Sequence, residues 1–409
     1  MQYSEASNSV NARAQRARKI QSVALLLHGM TQKFDLPPDG FESGENDPNL
    51  TMEDMGEKAE ILEKLQCNLL PLLKEQIPSL LTSLDLQHDS GDERANLDVE
   101  PTLKILSNFE RTMTSTLSSI RILAHGSPLP DRKHDHHLHN LKSIRCARLY
   151  LYIDGYVKLT INGLLICCSS YMQCCGLAIR LANPALSWEE PLHSMSSICE
   201  MTAAVCGAID ETITLCRKSD WALIQEGWLT AEGELNEHLR KLADLPRDLE
   251  PELAVLAILP SEEPDLIERT IIETRRKATE EEMAEQDIGI SSDTLEQFHD
   301  LFTPIRKSLG SLASHLRDFR GTNQVITISD RDQMDTLVNS LSDDMKCTMI
   351  FIASHLSLFQ YRAKNIPPEN YFKAWSGTLE KLWDKVVDQL LNLILSLEVE
   401  PEQPLEQAD

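Results

Sequence analysis

Apolar residues recur at spacings of three and four along most of this chain, the period of a helix with one face turned inward. The pattern predicts a first helix over 10–33. Thr51 then reads as an N-cap, with Asp54 three residues on, for a helix to about Leu84 that Pro71 and Pro78 should kink or divide. Glu100-Pro101 opens the next, with a stripe of Leu103, Leu106, Phe109, Met113, Leu117, Ile120 and Ala124. The segment Asn140–Ala182 is the most hydrophobic, and helices follow over Glu189–Arg217 and from Ser219-Asp220.

After 292 come three more helices. Asp293 and Glu296 start one whose stripe runs from Phe298 to Phe319, Ser329 begins the second, and Pro367-Pro368 opens the last. Gln324–Ile328 is the only β-like run, and no repeat of 30–50 residues is visible. The expected fold class is all-α, an elongated bundle of about eight to ten helices or two packed bundles. Residues 1–50 should form a basic helix and acidic loop, and 51–245 the main bundle. Residues 246–292 read as an acidic linker with an exposed helix, 293–400 as C-terminal helices packing on the bundle, and 401–409 as an acidic tail.

Composition supports helices: aromatics are only 5% of the 409 residues, and unbranched or γ-branched side chains dominate the apolar positions. The net charge of −25 argues against nucleic-acid binding, because an acidic surface repels phosphate. That charge is uneven. Residues 35–60 hold nine carboxylates and one Lys, and 246–290 hold thirteen carboxylates and five Lys or Arg. By contrast 6–34 contain Arg13, Arg16, Arg18, Lys19 and Lys33 and no acid. Such a segment resembles a mitochondrial transit peptide in composition, and equally a plain basic first helix, the reading preferred here.

Ten cysteines fall mostly at apolar helical positions, where a free Cys acts as a small hydrophobe. With no secretory signal at the start, this leads to the expectation of an intracellular, cytoplasmic protein, with mitochondria as the alternative. Cys167-Cys168 and Cys174-Cys175 suggest a metal signature, but seven residues of helix advance about 10.5 Å. Thiolates sharing one zinc lie no more than about 4.6 Å apart. Core packing is therefore expected for them. Thr160–Ile179 is uncharged and long enough to span a bilayer. Its polar residues and the lack of a second such segment favour a central helix wrapped by others, so a membrane is not expected as a partner.

The remaining chemistry lies in Lys133–His139. His125, His134, His136, His137 and His139 form a candidate metal site, since His residues three apart on a helical turn chelate divalent ions. A solvated connector has the same composition. Trp188, in the Pro184–Pro191 connection, is a candidate anchor for a partner. No Gly-rich phosphate loop, GxSxG, HExxH or CxxC occurs, so neither catalysis nor a cofactor is expected.

The run His136–Cys146 resembles an uncharacterised family of helical proteins expanded in rust fungi, as do Cys67–Leu84, Lys218–Trp228 and the segment around Trp375. That resemblance implies a fungal, all-helical, non-catalytic protein and transfers no site residue. The expected function is that of an intracellular helical interaction or scaffold protein, binding a protein partner or itself. The alternatives are a metal-responsive protein using the histidines and a mitochondrial or membrane-associated protein.

Overall fold

A computed structural model describes residues 2–35, 46–84, 99–181, 189–243, 289–322, 326–362 and most of 380–395. The exposed helix expected within the linker, up to residue 288, and the first part of the last helix, 367–379, lie outside the described residues. What is described is all-α. The exception is a parallel pair of two-residue strands, β1 (Asn46–Asp47) and β2 (Leu129–Pro130), which the sequence pattern did not announce.

Two compact units emerge: Met1–Lys218 with Gly289–Asp293, and Ser219–Ile288 with Thr294–Asp409. The boundary falls 27 residues before the 245 expected from sequence, because the helix beginning at Asp220 packs with the C-terminal helices.

In the first unit α1 (Gln2–Asp35) is longer at both ends than predicted. The helix after Thr51 is α2 (Gly56–Lys64), a π turn over Leu65–Leu69, and α3 (Leu70–Ser83). The wide turn lies directly ahead of Pro71. That proline has no N–H to donate and its ring crowds the carbonyl four residues back, so the Leu70 N–H reaches back five residues to Leu65. Pro78 stays inside α3 without ending it.

After α4 (Val99–His125), two short 3₁₀ turns lead into α5 (Ser143–Tyr150). A second π turn over Leu151–Val157 joins α5 to α6 (Lys158–Leu181), and α7 (Glu189–Arg217) follows. One core runs from Ile20 to Cys216, with Phe109, Leu73, Ile77, Ile153 and Leu165 wholly buried.

The second unit contains α8 (Asp220–Ala243), α9 (Ser292–His299, apart from its first two residues), α10 (Thr303–Thr322) and α11 (Ile328–Arg362). One continuous helix was expected where α9 and α10 are separate. Pro304 explains the break: it has no N–H to return to Asp300, and the Thr303 N–H closes a tighter turn onto that carbonyl at 2.9 Å. A core of Ile305, Leu312, Met334, Leu341 and Leu390 holds these elements. Gly227 is required on α8, since a β-carbon there would lie 2.7 Å from the His299 carbonyl oxygen.

Two Thr–Asp pairs bond reciprocally, and one of them caps a helix. Thr327, rather than the expected Ser329, serves α11: its hydroxyl and N–H donate to Asp330 Oδ2 at 2.6 and 3.0 Å, and the Asp330 N–H donates back to Thr327 Oγ1 at 3.1 Å. Thr51 and Asp54 repeat the arrangement one turn ahead of α2, so Thr51 is not the N-cap expected from sequence; Met55 holds that place without a side-chain cap bond. The Thr hydroxyl bond, then the backbone bond, holds each carboxyl below its ordinary value. A lowered folded-state value means the cap contributes above the ordinary Asp range and is lost as pH falls through the lowered value. In an NMR titration of carboxyl carbons, Asp330 and Asp54 should titrate below ordinary aspartates, and Thr327→Val, which keeps the backbone bond, should move Asp330 alone part of the way back to the ordinary value. An unshifted Asp330 in the parent protein would contradict this.

Candidate functional site

The five candidate histidines sit close in sequence but have separate occupations. His125, at the end of α4, stands edge-on to the Tyr150 ring at 4.7 Å. His134 Nδ1 pairs with Asp131 Oδ1 at 2.8 Å. His137 Nε2 meets the Leu50 carbonyl at 2.6 Å, and the His136 ring stands edge-on to His137 at 5.2 Å. His139 is exposed with φ 46°, in the left-handed region that His tolerates better than most side chains, and is the first residue of the second 3₁₀ turn. Among the described residues, no three His, Cys, Asp or Glu side chains gather as a metal ion requires.

What the connector does contain is a buried carboxylate that its composition hides. Asp135 is only 1% exposed. Its Oδ2 accepts the Ser143 N–H at 2.9 Å, at the start of α5, and the Ser292 hydroxyl at 2.5 Å, while Oδ1 accepts the Ser292 N–H at 2.8 Å. Ser292 Oγ in turn accepts the Ile144 N–H at 3.0 Å. Arg132 Nε pairs with Asp293 Oδ1 at 3.2 Å, and the Asp293 N–H reaches the Arg132 carbonyl. Residues 289–293, the end of the expected linker, are thus fastened into the first unit.

Two buried cations, Arg145 and Lys58, lie near Cys146 of α5. Arg145 donates to the Lys218 carbonyl. Lys58 donates to the Leu123 carbonyl at 3.1 Å, placing a positive charge where the α4 dipole is negative. Burial lowers the Lys58 pKa, and burial pushes the nearby Cys146 thiol up to about 11 despite Lys58 and Arg145 beside it. Cys168 and Cys216 are likewise pushed up to about 12 by burial. These thiols are hydrophobes, not nucleophiles. Cys67, Cys199 and Cys347 depart from the core expectation and are exposed.

α6 also departs from the wrapped helix predicted. α1 covers one side of it and α7 another. The Ser169 hydroxyl donates to the Ala24 carbonyl at 2.9 Å, and a β-carbon at Gly176 would lie 3.6 Å from Ile20, so α1 runs antiparallel along it. The third side is open. Leu159, Ile166 and Leu177 are 61%, 52% and 54% exposed, with Ser170 and Gln173 exposed between them. The π turn at Leu151–Val157 sets the rotation of this face, and Asp154 within it is held by Lys158 at 3.1 Å and Arg121 at 3.6 Å. Ser143–Leu177 is the one helix among the described residues long and apolar enough to cross a bilayer, by length and composition alone. Trp188 lies outside the described residues.

Comparison with known proteins adds two family matches. Residues 58–217 match a domain of unknown function, DUF8723, and residues 266–392 match a second, DUF8721. The first match ends at the edge of the first unit, and the second contains the 289–293 segment built into it. No curated protein and no solved structure matches the chain.

The Asp135 knot makes a direct prediction. Ser292→Ala removes a donor to Asp135 and the acceptor of the Ile144 N–H, and should cost about 1–3 kcal/mol. Asp135→Ala strands two buried N–H groups and should cost about 2–5 kcal/mol. Urea unfolding reads both, and hydrogen exchange at the Ile144 amide should quicken in each. Unchanged exchange there would show that the knot does not hold α5.

Proposed function

We propose that this chain is a non-enzymatic helical interaction protein whose docking surface is the open face of α6. The carrying observation is that face: three large aliphatic side chains, each more than half exposed, on a helix otherwise held between α1 and α7. Leu159, Ile166, Ser170, Gln173 and Leu177 follow one another at spacings of seven, four, three and four, the pattern of a seam that receives a second helix, while at Gly163 between them a β-carbon would lie 2.5 Å from the Met201 methyl of α7.

The seam runs about 27 Å at 1.5 Å per residue. Covering its three aliphatic residues and matching ones on a partner is worth roughly 6–10 kcal/mol. Association costs about 4–15 kcal/mol, so a partner of useful affinity needs a further contribution.

A reducing, intracellular setting is supported by ten cysteines held as thiols. The likeness to helical proteins of rust fungi fits this reading without adding a role. Retention of the basic N-terminal segment is favoured over its removal as a transit peptide. Ala17, Ile20, Val23, Ala24, Leu27, Met30 and Phe34 of α1 are buried, so cleavage would strip a side from the core. The metal-responsive alternative gains no support from histidines engaged singly with Tyr150, Asp131 and the Leu50 carbonyl.

A photo-crosslinking residue at Ile166, with a control at exposed Asp343, tests the proposal in the native cell. A discrete adduct at 166 that is missing at 343 is expected. Equal labelling at both positions, or none at 166, would overturn it.

A further inference from the structure

Charge along the seam is as uneven as its apolarity. In a chain of net charge −25, α1 carries no acid between 6 and 34. Arg13, Arg18 and Lys19 are exposed on it. Lys33, at the other end, is already paired with Glu110 at 2.5 Å. The antiparallel packing sets Ala17 and Ile20 beside Gly176, so Arg18 and Lys19 lie level with the Leu177 end of α6. Exposed Arg180 continues the seam by one more step of three. At the Leu159 half the α1 cation level with the seam is Lys33, which Glu110 already holds.

Resting on the docking reading above, we infer that the partner is an acidic amphipathic helix, its apolar stripe on the α6 seam and its carboxylates over Arg13, Arg18, Lys19 and Arg180. Charge complementarity selects this occupant. A second copy joined in parallel, about a two-fold axis along the helix, would bring the same cations against each other, and an antiparallel copy would set them against the Leu159 end, an arrangement that sedimentation tells from a peptide helix. A lipid surface would receive only three large aliphatic side chains, interrupted by Ser170 and Gln173, from a protein whose net charge of −25 opposes anionic headgroups. Those two polar groups instead suit a helix, where a polar position in a seam fixes register. The clustering of cations at one end also fixes direction: the partner's acidic end lies at Leu177–Arg180.

The test uses the full-length protein and fluorescent peptides of about three heptads that share one leucine stripe. One peptide has glutamate flanks and one has lysine flanks. Fluorescence anisotropy should show binding of the glutamate peptide, at least about tenfold weakened by Arg18→Glu with Lys19→Glu, and weakened again as salt rises from about 0.05 to 0.5 M. Ile166→Glu should abolish it, while circular dichroism and melting match the parent. The lysine peptide should not bind.

Equal binding of both peptides, no binding of either, dimerisation seen by sedimentation and lost with Ile166→Glu, or binding to anionic vesicles in their place would each overturn the inference. An adduct at residue 166 in cells, with no binding of the glutamate peptide, would leave α6 as a docking surface and remove only the acidic partner. Absence of the adduct would remove both.

Discussion

Small side chains and two hydrogen-bonding groups let α1 lie directly along α6, and the first unit depends on that contact. Ala17 and Ala24 of α1 face Gly176 and Ser169 of α6, and the Ser169 hydroxyl reaches the α1 backbone. The remaining apolar stripe of α1, from Ile20 to Phe34, then closes the core over Leu164, Cys168 and Tyr171. α7 takes a second side of α6, leaving one side over. An uncharged helix this long is costly to leave half exposed in water, since each aliphatic side chain on it forgoes about 1.5–3 kcal/mol of full burial. Large aliphatic side chains exposed repeatedly along one helix face are a candidate interaction site.

The Asp135 knot is the second constraint, and it works through donors rather than area. A carboxylate this buried is tolerated only where its lone pairs are satisfied, and three donors from Ser143 and Ser292 satisfy them. It fixes where α5 begins. Because α5, the π turn and α6 form one unbroken helical run, it also fixes the start of the rod that carries the seam.

Helical periodicity, the Thr51–Asp54 pairing, the Glu189–Arg217 helix and the buried Cys168 are legible because each follows from local spacing. What was not legible depends on distant parts of the chain. Asp135 reads as one more polar residue in a histidine-rich loop, since its partner Ser292 lies 157 positions away. Ser292 was assigned to a linker for the same reason. The histidines drew attention by number, yet their partners are a tyrosine ring, an aspartate and a carbonyl. The breaks at Leu65–Leu69 and Thr303 follow from Pro71 and Pro304; the first was anticipated as a kink, and Pro304 was a signal available but passed over. The open face of α6 had no signal at all in periodicity, because a helix apolar on every side looks the same whether two or all of its sides are covered.

The central claim is that α6 is a helix of a folded core with one uncovered, uncharged face. Cysteine-scanning accessibility along 159–177, read residue by residue by mass spectrometry in the native full-length protein, tests it most directly. Rapid modification should peak at introduced cysteines replacing Leu159, Ile166, Ser170 and Leu177 and fall to a minimum at Ile161, Leu165, native Cys168 and Met172. Uniform protection, or modification without that helical period, would contradict the account.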